Sequence, residues 1–208
     1  MQYSIPYQET QFFSKLILDY LNHDKKLKEF VNYFPALKNF SKQIIEKNNH
    51  QIHRGLLVKV LKDQNSIISL SESVQKNIDL LDFDNTFTVT TGHQICILTG
   101  PLYFIYKIIS TLNLCDQLAK KHPSNNFVPV FWMASEDHDI NEINHIHLFG
   151  KKIKWATDQT GASGKICLDG FENVISELES VLGSNKNSDK LFLLFKKAYL
   201  NHKNLSDA

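Results

Sequence analysis

The feature that most constrains this chain is an apolar run at residues 127–133, Phe-Val-Pro-Val-Phe-Trp-Met. It has the length of a buried strand and no polar alternation, a pattern typical of parallel strands that are covered on both faces. Proline lacks the N–H of a sheet ladder. We therefore expect that pairing begins after Pro129 or that one side of the strand is unpaired there. The run predicts an α/β fold built on a parallel sheet.

A second strand and a helix precede this run. Residues 86–90, Thr-Phe-Thr-Val-Thr, are β-branched and aromatic and predict a short strand. A polar turn follows at 91–94, and an amphipathic helix is predicted over 101–121. Strand, turn, helix and strand form a βαβ unit with parallel strands and a right-handed crossover. The helix residues expected to form a buried stripe are Leu102, Ile105, Tyr106, Ile109 and Leu112, and Leu118 continues this stripe.

The remaining sequence favours helices. The first helix is predicted after Thr10 as N-cap, and a second begins near Pro35. Two short strands are predicted at 146–149 and 151–155, then a flexible loop over 161–164. We accordingly expect a helical N-terminal region packed on the core (1–80) and a βαβ core (81–160). The last region (161–208) is expected to be a loop with helices at 171–182 and 190–205 that continues into a further C-terminal part.

Composition excludes several classes of protein. The 208 residues carry 23 Lys+Arg and 22 Asp+Glu, which gives no support for nucleic-acid binding. Arg54 is the sole arginine and is expected on a helix surface, so bound phosphate would depend on backbone N–H groups, hydroxyls, histidines or lysines. The dispersed Cys96, Cys115 and Cys167 do not fit a disulfide framework or a zinc knuckle. Without a signal peptide or a long apolar run, we expect a cytoplasmic protein with no membrane partner.

The acidic segment at 134–139, Ala-Ser-Glu-Asp-His-Asp, follows the second strand. Ligands bind at the carboxyl ends of parallel strands, so this segment is a candidate site. Its carboxylates could orient the imidazole of His138 or hold a substrate ammonium, or the segment could bind a metal ion. Alternatively, it is a polar loop in which Asp137 or Asp139 caps a short helix.

The glycine-bearing turns at 91–94 and 99–101 are the other candidate. A helix start at Thr99-Gly100-Pro101 could offer N–H groups to an anion, but it could equally be a plain turn with Thr99 as N-cap. Neither the dinucleotide fingerprint nor a P-loop is present. Cys96 is either a thiol activated by His93 or a buried apolar residue. The aromatic residues Phe131, Trp132 and Trp155 are expected in the core.

These motifs together resemble a known family. Residues 90–94 (Thr-Thr-Gly-His-Gln), 98–103 (Leu-Thr-Gly-Pro-Leu-Tyr), 129–139 and 142–144 are similar, in order and spacing, to the bacillithiol biosynthesis cysteine-adding enzymes (BshC). The resemblance is specific over 86–150. Family members usually have Gln at the position of His93 and Gly at that of Cys96. The resemblance implies a Rossmann-like core with helical insertions, akin to class I aminoacyl-tRNA synthetases. It also implies a coiled coil in a longer chain that forms a homodimer.

The resemblance also implies a reaction. L-cysteine would be joined through its carboxyl to the amine of glucosaminyl-malate, and the need to activate a carboxylate implies ATP. The sequence motifs themselves require no metal. Joined to the residue-level interpretation, it assigns proton transfer to His138 and ammonium binding to Glu136 and Asp139. Substrate or nucleotide binding is assigned to Thr91, Gly92, His93, Gln94, Thr99, Gly100, Tyr103 and Asp137.

Even as part of a ligase, the 208-residue chain alone is expected to be inactive. Two alternatives to a ligase remain open at this point. The first is a non-catalytic fragment that binds a ligand or partner. The second is a metal-dependent hydrolase using Asp137, His138 and His145.

Overall fold

The computed structural model describes residues 3–66 and 68–208. The chain forms two compact units: one runs up to Phe87 and includes Lys121–Asn126, and the other contains Thr88–Lys120 and Phe127–Ala208. The helices of the described residues are α1 (Lys15–Leu21), α2 (Phe40–Asn48), α3 (Arg54–Gln64), α4 (Glu72–Leu80), α5 (Leu102–Lys121), α6 (Ile140–Ile143), α7 (Phe171–Leu182) and α8 (Lys186–Tyr199). The strands are β1 (Thr86–Gln94), β2 (Asn126–Ala134), β3 (His145–Leu148) and β4 (Lys151–Lys154).

The first unit is helical, but its first helix begins later than predicted. Thr10 ends a short 3-10 turn, and Gln11 has a positive φ of 58°, which interrupts the helical path. Helix α1 begins after Ser14, whose side chain accepts a hydrogen bond from the Ile17 N–H at 3.4 Å. Ser14 is therefore the N-cap, and the assignment of Thr10 was wrong.

Arg54 is not a surface residue of its helix. Its guanidinium donates to the backbone carbonyls of Leu81 (2.9 Å), Asp84 (3.3 Å) and Thr86 (3.1 Å), and its side chain is 15% exposed. Carbonyls at a helix C-terminus lack intrahelical donors, and a planar guanidinium can serve several of them at once. Arg54 thus joins α3 to the end of α4 and the start of β1.

The second unit contains the predicted βαβ arrangement. Strands β1 and β2 are parallel neighbours, and helix α5 connects them. Strand β1 is longer than predicted, because 91–94 continue the strand instead of forming a turn. Pro129 lies within β2. Among the described residues β2 pairs only with β1, so one of its edges is unpaired, which agrees with the second of the two expectations for Pro129.

The prediction of a buried stripe on α5 was right at Leu118 and wrong for its other residues, which are all exposed. Leu102 is 63% exposed and Tyr106 is 60% exposed, whereas the buried residues of α5 are Thr111, Cys115 and Leu118. The buried or half-buried residues of α5 include Phe104, Ile108, Thr111, Cys115 and Leu118, which recur at helical spacing and form one face. The helix therefore packs through this face, and most of the predicted stripe lies on a different one.

The core of the second unit lies instead around its C-terminal part. It comprises Ile97, Leu98, Ile143, Ile153, Trp155, Ile166, Leu168, Phe171, Val174, Ile175, Leu178, Phe192 and Leu205. Trp155 is 1% exposed, as expected for a core aromatic, but Trp132 is 62% exposed and the prediction for it was wrong. Within the part of the chain that the structure describes, no helix has the length and apolar character needed to cross a membrane.

The C-terminal predictions were largely confirmed. Strands β3 and β4 form an antiparallel hairpin, with Phe149 and Gly150 at positive φ in its turn. Helix α7 has the predicted bounds. Helix α8 begins four residues earlier than predicted because Asn185 and Ser188 form a capping box, and it ends at Tyr199, six residues before the predicted end. The prediction of a flexible loop over 161–164 was wrong, because Ser163 and Gly164 are buried.

Candidate functional site

The connection from β1 to α5 is a left-handed turn. Leu98, Thr99 and Gly100 have φ values of 49°, 71° and 60°. An N-cap residue is normally extended, so the predicted cap role of Thr99 is not realised, and α5 begins at Leu102. The Gly100 N–H donates to the Ile97 carbonyl at 2.9 Å, which commits that donor to the turn. A Cβ at Gly100 would lie 2.6 Å from the Cβ of Cys96, so the turn requires glycine.

Tyr199 supports this strained turn from α8. The Leu98 N–H donates to the Tyr199 hydroxyl at 2.8 Å, and the Tyr199 ring stacks on Phe171 with centroids 4.1 Å apart. Burial raises the pKa of Tyr199, so its hydroxyl remains protonated. A left-handed Leu costs roughly 1–2 kcal/mol. The contact with Tyr199 and the burial of the Leu98 side chain stabilise it in that conformation.

Gly92 of β1 lies close to the backbone and Cβ of Trp132 in β2. A Cβ there would be 2.8 Å from the Trp132 carbonyl oxygen and 2.9 Å from the Trp132 Cβ. The Gly92 carbonyl accepts a hydrogen bond from Lys107 Nζ at 2.8 Å, which places a positive charge beside the end of β1. Thr91 and Tyr103 line a groove of about 450 Å³ between β1 and α5.

His93 is held by two hydrogen bonds. Its Nδ1 is 3.0 Å from the Gln94 carbonyl, and its Nε2 is 3.1 Å from the Tyr103 hydroxyl. A carbonyl can only accept, so Nδ1 carries the proton and Nε2 accepts from Tyr103. Cys96 Sγ lies 3.6 Å from His93 Nδ1, yet burial, together with the charge of Glu142, raises the pKa of the Cys96 thiol. The geometry therefore supports a neutral thiol beside an oriented imidazole.

Gln94 connects the two segments that the sequence predicted at one crevice. Its side-chain amide donates to Glu142 Oε2 at 3.1 Å and also interacts with the carboxylate of Asp137. The Asp139 N–H donates to Asp137 Oδ1 at 2.9 Å. The hydrogen bond from the Asp139 N–H lowers the pKa of Asp137 most, and the Gln94 side chain lowers it further. The carboxyl group of Asp137 is therefore kept ionised.

A later segment, which the sequence did not associate with the site, packs behind the acidic residues. The Ser163 N–H donates to the Asp137 carbonyl at 2.6 Å, and the Gly164 N–H donates to the Ser135 carbonyl at 2.9 Å. A Cβ on Gly164 would lie 2.6 Å from the Cβ of Ser135. Glycine and serine here allow close backbone packing, whereas the sequence pattern indicated only flexibility.

His138 and Asp139 line a cavity of about 430 Å³ together with Ile140, Asn141 and residues 157–160. Both side chains are exposed, as is Glu136, which is not among the residues lining this cavity. The structure thus joins Gln94 with Asp137 and Glu142, His93 with Tyr103, and His138 with Asp139. Thr91 lies outside these groups, in the groove between β1 and α5.

The histidines of β3 do not extend this site into a metal centre. The rings of His145 and His147 are 5.3 Å apart, and their cross-strand neighbours are Lys154 and Lys152. Burial and the neighbouring Lys152 lower the pKa of His145. Over residues 3–66 and 68–208, no group of three His, Cys, Asp or Glu side chains is placed to hold a metal ion. The hydrolase alternative therefore has no ligand cluster to support it in those residues.

Comparison with known proteins identifies relatives of this chain. Residues 1–208 match the family model described as "Bacillithiol biosynthesis BshC, N-terminal Rossmann-like domain". A protein of Flavobacterium psychrophilum named "Putative cysteine ligase BshC" is 48% identical over 98% of this chain and 39% of its own length. A protein of the same name from Flavobacterium johnsoniae is 49% identical over 98% of this chain and 39% of its own length. Another of that name, from Bacillus cytotoxicus, is 37% identical over 65% of this chain and 25% of its own length. The chain therefore spans about two-fifths of the length of the Flavobacterium relatives.

Proposed function

Since this chain belongs to the bacillithiol biosynthesis BshC family, we propose that it provides the Rossmann-like part of a ligase that joins L-cysteine to glucosaminyl-malate. The observation that carries the proposal is the hydrogen bond of 3.1 Å from the Gln94 side chain at the end of β1 to Glu142 Oε2 after β2. It brings together the two strand ends at which ligands bind in parallel sheets.

The proposed reaction forms an amide bond between the cysteine carboxyl and the sugar amine. A free carboxylate is a poor acceptor for an amine, so ATP is the proposed activating nucleotide. The amine must lose a proton before its nitrogen can attack, and His138 is the proposed acceptor of that proton. Asp139 and Glu136 would attract the ammonium form, while ionised Asp137 adds negative charge beside them. We assign no metal to the reaction.

The proposed ligase activity belongs to a polypeptide of the relatives' full length. Two substrates and a nucleotide need more binding surface than the described crevice, and the chain has no arginine besides Arg54, which is engaged with carbonyl groups. We expect the 208-residue chain alone to be inactive and the full-length protein to be a homodimer. Turnover by the isolated chain, or a full-length monomer in light scattering, would contradict these expectations.

The direct test is product formation by a full-length protein that contains this chain. L-cysteine, glucosaminyl-malate and ATP are supplied, and the amide product is measured by mass spectrometry. We expect His138→Ala and Glu136→Ala to abolish product while circular dichroism remains unchanged. Glu172→Ala, in the first turn of α7, is the control and should retain activity. Normal product from both site variants would show that the acidic segment is only a loop and a helix cap.

A further inference from the structure

We propose that the cavity formed by residues 138–141 and 157–160 binds the amino-sugar end of the acceptor substrate, with Asp139 and Asp158 on its wall as the carboxylates for the ammonium. The inference rests on the proposed function and adds to it a binding segment, 157–160, and the part of the substrate that this segment recognises. The cavity volume of about 430 Å³ lies in the range of small-molecule sites, about 300–1,000 Å³.

The chemistry of the cavity wall selects the ligand. The acidic side chains that line it are Asp139 and Asp158, and no lysine or arginine is among its described lining residues. Thr157 and Thr160 contribute hydroxyl groups, and Asn141 contributes an amide. Carboxylates favour a cation, while hydroxyls and amides pair with sugar hydroxyls. A phosphate or the two carboxylates of malate would be repelled here, so the anionic groups of the substrates must bind elsewhere.

The segment 157–160 is held in place by Gln159. The Gln159 side chain donates to the Cys167 carbonyl and accepts from the Cys167 N–H, both at 2.9 Å. On either side of Cys167, the Ile166 carbonyl accepts from the Leu205 N–H and the Leu168 N–H donates to the Lys203 carbonyl. The segment is thereby attached to the core, and Asp158 has a defined position relative to His138. Such preorganisation reduces the entropy lost on binding.

His138 adds a proton acceptor to the lining of the cavity. A sugar ammonium bound between the two carboxylates would lie on the same cavity wall as the imidazole of His138. The ammonium transfers one proton to the imidazole, which leaves a lone pair on nitrogen to form the new bond to the activated carboxyl carbon. The bond from that carbon to its phosphate leaving group breaks, and the second nitrogen proton leaves with the departing phosphate, so that the amide keeps one N–H. Binding and deprotonation of the amine would thus take place in one cavity.

The test uses D-glucosamine as a probe of the 208-residue chain, followed by two-dimensional amide NMR. At mildly acidic pH, where the probe is protonated, we expect shifts at 138–141 and 157–160. Asp158→Asn should weaken binding by about three- to five-fold, since an exposed ion pair contributes no more than about 1 kcal/mol. The matched control is Asp116→Asn, an exposed carboxylate on α5, which should bind as the unmodified chain does.

Two further ligands separate the alternatives. N-acetyl-D-glucosamine, which keeps the sugar but loses the charge, should bind more weakly than D-glucosamine. L-cysteine, which has an ammonium but no sugar, should leave the amides of 157–160 unshifted. Equal binding of the two sugars, unchanged affinity in Asp158→Asn, or stronger shifts with L-cysteine would overturn the inference. Probe binding without ligation by the full-length protein would instead refute the proposed function.

Discussion

Gly164→Ala tests the packing behind the acidic segment. The added Cβ would lie 2.6 Å from Ser135 Cβ, 3.1 Å from Ser206 Cβ and 3.2 Å from the Ser135 carbonyl oxygen, whereas ordinary contacts begin at 3.4 Å. Ser135 would have to move by most of an ångström. Overpacking of this kind costs about 1–3 kcal/mol. The lower entropy of the unfolded chain with Ala recovers about 0.4–1 kcal/mol.

We therefore expect Gly164→Ala to lower the free energy of unfolding by about 1–2 kcal/mol and Tm by about 2–4 °C for each kcal/mol. Urea unfolding, followed by both circular dichroism and tryptophan fluorescence, measures the change. The matched control is Gly55→Ala in α3, where the nearest atom is 3.9 Å from the new Cβ. Because alanine favours a helix, this control should stabilise the chain by about 0.5–1 kcal/mol. Equal unfolding midpoints for the two variants would refute the reasoning.

Three further changes test other contacts. Arg54→Lys loses the guanidinium fork that serves three carbonyls and should lower the free energy of unfolding by about 1–3 kcal/mol; an unchanged urea midpoint would show that the fork is dispensable. Tyr199→Phe leaves the Leu98 N–H without its acceptor and should cost about 1–3 kcal/mol and speed exchange of that amide, so unaltered exchange would argue against the contact. The lowered pKa of Asp137 means that its charge stabilises the fold above the ordinary carboxyl pKa, and that this stabilisation is lost as pH falls through the lowered value. Asp137→Asn should therefore flatten the acid side of the stability–pH curve, and a curve parallel to that of the unmodified chain would contradict the assignment.

The sequence predicted elements that depend on local chemistry. The β-branched run at 86–90, the apolar run at 127–133 and the helix between them are recognisable because strand and helix periodicities are properties of neighbouring residues. The hairpin around Gly150 was also predictable from local chemistry, because a turn position with positive φ favours glycine. The first helix start was misplaced because both Thr10 and Ser14 have the side chain of an N-cap.

Contacts between distant residues could not be predicted in this way. Arg54 meets carbonyls about 30 positions later, and Ser163 and Gly164 pack against a segment that precedes them by a similar distance. No periodicity encodes such pairings. For the candidate site, the sequence identified the acidic segment and the end of β1, but it missed residues 157–160, because threonine, aspartate and glutamine between elements are typical of any polar loop.

The sequence alone thus determined the βαβ order, the parallel strands and the positions of the polar residues that follow them, because each of these follows from short-range patterns. Tertiary structure alone decided which apolar residues are buried, since burial depends on what covers a face and not on the face itself. It placed the core around Trp155 and Phe171 and left the outer residues of α5 exposed. It also decided which polar residues share one cavity, because only the packed chain brings His138 and Asp158 to the same wall.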